Sequence, residues 1–310
     1  MENTLCVGVA PAVQELREFA RVEVGAVNRA LVVERSASGK AINVARVLRQ
    51  LGGTPLVLGF AGGGTGQFLR LCLRREGIAQ RLTPARRPTR VCITILDRAK
   101  GTVTELVEEA QLPTADEWRR FFSAVERASR RARRIVIAGA LMPGAEREVY
   151  RRLTRLGPPV LVDSQGEPVL RALAGRPFIV KMNVSELERT LGRRYVHPRA
   201  VVAGARELLK QGAQHAVVTD GPRGAWLISL DMVWHYRPPR ITPVNPIGSG
   251  DAMTAGICRA LDRGVSLPDA VRCGVACGAA NALTRVAGSV RLSDVRRLEQ
   301  DVCVRSHKHN

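Results

Sequence analysis

The 310-residue sequence predicts an α/β fold: a doubly wound, mostly parallel central sheet flanked by helices, with a small β lid. Three observations carry this. Short β-rich apolar runs alternate with amphipathic stretches of helical length along most of the chain. Several of those stretches stop at Leu-Gly or Gln-Gly, where glycine takes the left-handed conformation that ends a helix. The runs VLVDS and AVVTD begin with residues that are apolar on both faces, as buried parallel strands are.

In chain order, strands are expected at TLCVGV (4–9), TPLVLGF (54–60), RVCITIL (90–96), RIVIAG (134–139), PVLVDS (159–164), FIVKMN (178–183) and HAVVTD (215–220). The intervening helical patterns cover 43–52, 66–77, 117–132, 146–157, 184–192 and 197–212. Two regions break the rhythm. Residues 14–35 and 86–108 read as alternating strands, and AKG (99–101) has the form of a hairpin turn. They are expected to form the lid, inserted in a single domain spanning 1–310, because no Pro- or Ser-rich linker divides the chain. The last five residues, SHKHN, are expected to fray.

The hydrophobic fraction of 45% and charged fraction of 25% are those of a globular protein. No run reaches the roughly 18 apolar residues of a membrane span, so no membrane association is expected. The opening MENTLCVGVAPAVQ lacks a basic leader, so a cytoplasmic location is expected. The net charge is +20, which draws attention to anionic partners. Only five of the 48 basic residues are lysine, and the arginines are scattered. The cluster RASRRARR (127–134) is broken by alanine and serine and carries no aromatic platform, so it reads as a solvated helix face and no nucleic-acid partner is expected. The seven cysteines contain no CxxC pair. Cys273 and Cys277, four apart in a helical pattern, read as buried free thiols.

The stretch NPIGSGDAMTAG (245–256) has the richest chemistry. Gly248, Ser249 and Gly250 would form a loop entering a helix near Ala252, where backbone N–H groups without internal partners attract an anion. Asp251 falls in the first turn and could simply cap the helix. No Walker A or dinucleotide fingerprint is present. In KMNVSE, Asn183 and Glu186 are spaced i, i+3 on one helix face; they read equally as a capping pair or as oxygen groups for magnesium. In TDGPRGA, the residues Thr219, Gly221 and Gly224 read as a tight turn at the end of a strand.

These stretches, in their order, resemble the PfkB-type, ribokinase-like carbohydrate kinases. Asn245–Gly256 is similar to the second signature of that family, with proline in place of a threonine. SASGKAINVARVLRQLGG (36–53) is similar to the first signature. Residues 62–78, 89–97, 101–106, 138–144, 181–187 and 217–228 also have counterparts. Among subgroups, the chain is most similar to 1-phosphofructokinases and tagatose-6-phosphate kinases.

The resemblance implies an ATP- and magnesium-dependent transfer of a phosphoryl group to a hydroxyl of a sugar or sugar phosphate. The transferring phosphate would rest on Gly248, Ser249 and Gly250, with Asp251 as general base. Asn183 and Glu186 would order magnesium, largely through water. Lys181, Thr219, Gly221, Gly224 and Asn281 would lie along the nucleotide. Gln14, Gly39, Lys40, Asn43 and Arg90 would face the acceptor, and a homodimer would form through the lid. On the acceptor side the chain departs from the family: Gln14 replaces an aspartate, Ser38 and Ala41 replace glycines, Cys92 replaces an asparagine and Ala140 a serine. Those departures leave open a kinase for another alcohol, such as a nucleoside or modified sugar, or a non-catalytic binding relative.

Overall fold

A computed structural model describes residues 3–308. The first strand, β1 (Asn3–Val7), leads into β2 (Ala12–Phe19) and β3 (Val32–Ser38), after which Gly39 starts α1 (Lys40–Gln50). Then come β4 (Pro55–Gly62), α2 (Gly63–Arg75) and β5 (Ala79–Ala85). The hairpin of β6 (Arg90–Asp97) and β7 (Thr102–Val107) turns through Gly101, whose φ of 61° suits glycine. Strands and helices alternate through α3 (Ala115–Ser129), β8 (Ala132–Ala138), α4 (Val149–Thr154), β9 (Val160–Asp163), α5 (Glu167–Leu173), β10 (Ile179–Asn183), α6 (Val184–Leu191), α7 (Pro198–Lys210) and β11 (His215–Thr219). The chain ends with β12 (Ala225–Ile228), β13 (Met232–Arg237), α8 (Ser249–Asp262), α9 (Leu267–Ala282), α10 (Leu292–Gln300) and β14 (Cys303–Lys308).

Ten strands form one sheet in the order β14-β13-β12-β11-β10-β9-β8-β1-β4-β5. From β11 to β5 every neighbour is parallel, while β12, β13 and β14 add antiparallel strands at one edge. Strand alternation divides the core into two layers. Leu5 and Val7 of β1 pack with α3 to α7 on one face, and Cys6 between them packs with α1, α2 and α8 to α10 on the other. Each such fully buried aliphatic side chain contributes roughly 1.5–3 kcal/mol.

The other sheet has four strands in the order β3-β2-β6-β7, drawn from the two segments that interrupt the strand–helix rhythm. It is rooted where β2 leaves β1 and where β3 returns to α1. Gln14 pairs in register with Cys92 across its centre.

Three expectations are corrected. The helix expected over 146–157 is confined to Val149–Thr154, where Val149, Tyr150, Leu153 and Thr154 are buried. The tail does not fray as far as Lys308: Ser306 pairs with Trp234 and Lys308 with Met232, so β13 supplies partners for its backbone. His309 and Asn310 lie outside the described residues. α5, α10, β5 and the three antiparallel edge strands were not among the expected elements. Among the described residues, no helix is long and apolar enough to cross a membrane.

The helix that starts at Ser249 is set in place by glycine contacts with its neighbour. A Cβ on Gly256 of α8 would lie 2.7 Å from Cys277 Sγ and 2.9 Å from Gly274 Cα of α9. The two backbones therefore approach more closely than any side chain allows. Gly256→Val is expected to lower stability by about 1–3 kcal/mol through overpacking. Chemical denaturation of both proteins at one pH measures it, and an unchanged midpoint would show that the contact is not limiting.

Candidate active site

The carboxyl ends of β10 and β11, the amino end of α8 and the inner face of the four-stranded sheet enclose a cleft of about 1960 Å³. Ligands of open α/β sheets bind in this position.

Gly248 begins α8 as its N-cap residue, with φ 84°, and an added Cβ would lie 2.4 Å from Gly288 N. Only glycine satisfies both conditions. Ser249 N–H donates to the Pro246 carbonyl at 3.2 Å. The N–H groups of Gly248, Gly250 and Asp251 have no acceptor among the described residues. Of the expected Gly248–Ser249–Gly250 set, Gly248 and Gly250 keep open N–H groups, as does Asp251, while the Ser249 N–H is engaged. Asp251 is also not the cap, because its side chain makes no capping bond. Its carboxylate instead accepts a 2.8 Å bond from Asn43 Nδ2 of α1, 208 residues away in sequence.

Asp163, at the end of β9, has no exposed surface. Its carboxylate accepts from Lys181 Nζ at 2.8 Å, Lys40 Nζ at 3.3 Å and Thr254 Oγ1 at 2.7 Å. Burial works against its charge, but the two ammonium groups outweigh burial and hold its carboxyl well below the usual range. Lys40 also donates to Glu186 Oε1 at 2.9 Å. Burial again opposes its charge, and Asp163 and Glu186 overcome it and hold the ammonium well above its ordinary value. Asp251 shows the opposite balance. Burial, followed by the negative charge of Asp163, pushes its carboxyl up to about 6, while Lys40 and Asn43 pull it down. A buried carboxylate titrating near neutrality, beside open backbone donors and two fixed cations, can take a proton from a bound hydroxyl while a phosphate sits in the cradle.

Comparison with known proteins assigns the family. The profile of the pfkB family carbohydrate kinases matches residues 2–292. The chain belongs to the PfkB family of carbohydrate kinases. It is 28% identical over 283 residues to the 1-phosphofructokinase of Bacillus subtilis (strain 168), covering 90% of this chain and 92% of that one. It is 32% identical over 264 residues to the ATP-dependent 6-phosphofructokinase isozyme 2 of Mycobacterium tuberculosis (strain ATCC 25618 / H37Rv), covering 84% and 78%. The crystal structure of phosphofructokinase-2 from Escherichia coli in complex with potassium has a TM-score of 0.91 at 28% identity, covering 97% of this chain and 99% of that one.

Within this PfkB kinase, the expected residues fall into groups. Asn183 and Glu186 form a reciprocal capping box, with two bonds of 2.8 Å, and both line the cleft. The capping reading of this pair is therefore realised, whatever else the residues do. Lys181 lies beside the start of α8: a Cβ on Gly250 would meet its Nζ at 3.1 Å. Thr219, Gly221 and Gly224 line the cleft where β11 turns into β12. Gly224 is also required there by the turn, because at φ 120° its Cβ would meet Tyr236 O at 2.2 Å. Asn281 is not on the cleft wall. It is buried, donates to the Ile247 carbonyl at 2.9 Å and Ser249 Oγ at 3.2 Å, and accepts from Ser289 N at 3.1 Å. It braces the loop instead of facing it.

On the lid side, Gln14, Ser38, Gly39, Lys40, Asn43, Arg90 and Cys92 line the cleft. Gln14 donates to Thr94 Oγ1 at 2.8 Å. Arg90 donates to the backbone carbonyls of Glu108 and Ala10 at 3.0 and 3.1 Å, tying the lid to the body. Lys40 lines the cleft and donates to Asp163 and Glu186. Two of the family departures do not reach the cleft wall. Ala140 is exposed outside it. Ala41 lies in the first turn of α1, packed against Gly8, where a Cβ would approach the Ala41 Cβ to 2.6 Å. The missing side chain of Gly8 makes room for the methyl, so the backbone of α1 is undisturbed.

Asp163 and Thr254 were missed in the sequence. The available signal was a lone carboxylate at the carboxyl end of an apolar strand, VLVDS. Asp163→Asn leaves two ammonium groups facing a neutral amide, of which Lys181 is itself buried. We expect a loss of about 3–5 kcal/mol, as for breaking a buried pair. Thermal and denaturant unfolding at pH 7 measure it, and wild-type stability would contradict the network.

Proposed function

We propose that this carbohydrate kinase transfers the γ-phosphate of ATP to a hydroxyl of a sugar phosphate, with Asp251 as general base. The observation that carries the reading is a single constellation: a buried carboxylate, aligned by Asn43, in the first turn of a helix whose Gly248, Gly250 and Asp251 N–H groups are open. The names of the relatives support ATP as donor and a phosphorylated ketohexose as acceptor.

Asp251 accepts the hydroxyl proton as the acceptor oxygen attacks γ-phosphorus and the bond to the ADP oxygen breaks. The open N–H groups and Lys181 meet the negative charge on the transferring phosphoryl oxygens. Thr219, Gly221 and Gly224 carry the nucleotide, with Ile241, Val275 and Ala279 as an apolar wall for the base. Among the described residues, no group of three or more His, Cys, Asp or Glu side chains could hold a metal ion. Asn183 and Glu186 already bond to each other's backbone, so the donor set fits magnesium held through water and phosphate oxygens, not in a protein cage. If bound there, magnesium would neutralise phosphate charge. Gln14, Ser38 and Cys92, which face the acceptor end, are the residues expected to set acceptor choice, because a site lacking a partner for a substrate hydroxyl discriminates against it.

The reading includes a homodimer through the lid. Val33 and Leu106 of the four-stranded sheet do not line the cleft and are 57 and 51% exposed. A solved structure of the E. coli relative is described as a tetrameric inhibited form, so larger assemblies exist among relatives. Sedimentation at micromolar concentration should give a dimer, and Leu106→Glu, on the face of β7 that does not line the cleft, a monomer; a monomeric wild type counts against this interface.

Turnover of ATP against a panel of sugars and sugar phosphates tests the function. Asp251→Asn should lower the rate by ~10²–10⁴. Wild-type turnover should fall on the acid side with a midpoint about 6, as Asp251 protonates. Because its folded value is raised, Asp251 contributes most to stability below the ordinary carboxyl range and loses that contribution as pH rises past about 6. Asp251→Asn should therefore melt no lower than wild type at pH 8 while being nearly inactive. Full activity in that variant with a good acceptor removes the base assignment.

A further inference from the structure

The inner face of β2 reads Ala12, Gln14 and Leu16, all lining the cleft, and the strand period of two continues that face to Glu18. Glu18 lies near the far end of the strand, in register with Val32 and Leu96, about six residues from the root of the lid at Ala12. It is 7% exposed although charged. Two guanidinium groups meet its carboxylate. Arg98 comes from the lid's own hairpin, and Arg285 comes from the body.

Arg285 belongs to the segment after α9, and that segment touches the catalytic groups. The Arg285 carbonyl accepts from Asn245 Nδ2 at 2.9 Å, and Asn245 Oδ1 accepts from Ile247 N at 3.0 Å, within the phosphate loop. The Ala287 carbonyl accepts from Arg46 of α1 at 3.3 Å. Gly288 is packed on both sides. A Cβ on Gly248 would lie 2.4 Å from Gly288 N, and a Cβ on Gly288 would lie 2.5 Å from Asn43 Cβ. One short stretch of backbone therefore supports the helix-start glycine and the amide that aligns Asp251, while its side chain holds the far end of the lid.

We propose that Arg285 is a positioning residue for phosphoryl transfer: its ion pair with Glu18 holds the lid over the acceptor and ties lid position to the Gly248 turn and Asn43. The catalytic consequence rests on the kinase reading above; the mechanical one does not. Closing a lid excludes water and completes the site, so a weakened latch exposes the phosphoryl group to hydrolysis.

The test compares wild type, Arg285→Gln, Glu18→Gln, the double variant, and Arg98→Gln, which removes only a contact inside the lid. Hydrogen exchange of β2 and β6 amides in the ligand-free protein should speed up about tenfold in Arg285→Gln, the order expected for losing one half-buried ion pair. In kinetics, Arg285→Gln should raise the acceptor KM about tenfold and increase ATP hydrolysis relative to transfer, with the ATP KM within about twofold. Glu18→Gln should match it, and the double variant should be no worse than either single one. Arg98→Gln should shift the acceptor KM less than about twofold. Unchanged lid exchange and acceptor KM in Arg285→Gln, or additive effects in the double variant, would overturn the proposal. If Arg285→Gln does not fold, Glu18→Gln decides from the lid side. If wild type phosphorylates no sugar, the kinase reading fails while hydrogen exchange still decides the latch.

Discussion

Asp163 ends β9 with no exposed surface, and a carboxylate there is tolerable only if its charge is met by well-placed partners. Lys40 arrives from the first turn of α1, Lys181 from β10 and Thr254 from α8, so three separate elements converge on one pair of oxygens. The convergence fixes the two cations beside the start of α8. It also fixes the electrostatics of Asp251. Burial, and after it the negative charge that anchors the lysines, raises the Asp251 carboxyl toward neutrality, while the lysines pull it down. Two nearby carboxylates with opposite shifts are the arrangement that the proposed base role of Asp251 requires.

Glycine supplies the geometry that lets these charges meet. Gly256 and Gly274 bring α8 against α9, Gly248 turns the chain into α8, and Gly288 fits between Gly248 and Asn43. None of these residues carries a functional group, yet each replaces a side chain that would push a catalytic element outward. Among the bonds that join the lid to this arrangement are those of Arg90 at its root and Arg285 at its far end.

Most of the sheet was legible because buried parallel strands are short apolar runs and amphipathic helices separate them. The glycine-rich start of α8 was legible because an anion site needs backbone with nothing in the way. Other features depend on contacts between distant segments. VLVDS looks like any strand end until Lys40 and Lys181 are seen to flank it. Asp251 reads as a helix cap by position, but Gly248 takes the N-cap place and Asn43 claims the carboxylate. Ala41 looks like an obstruction, and the gap that accommodates it is Gly8, 33 residues earlier. Ser306 to Lys308 look like a polar tail because an edge strand facing solvent needs no apolar residues, only a partner for its backbone.

The most direct measurement is a carbon-13 titration of the Asp251 carboxyl in wild type and in Asn43→Ala. The account predicts a midpoint of about 6 in wild type. It predicts a higher midpoint in Asn43→Ala, because the variant loses a donor that favours the charged form. A wild-type midpoint near the ordinary aspartate value of ~3.9, with no response to the Asn43 substitution, would contradict it.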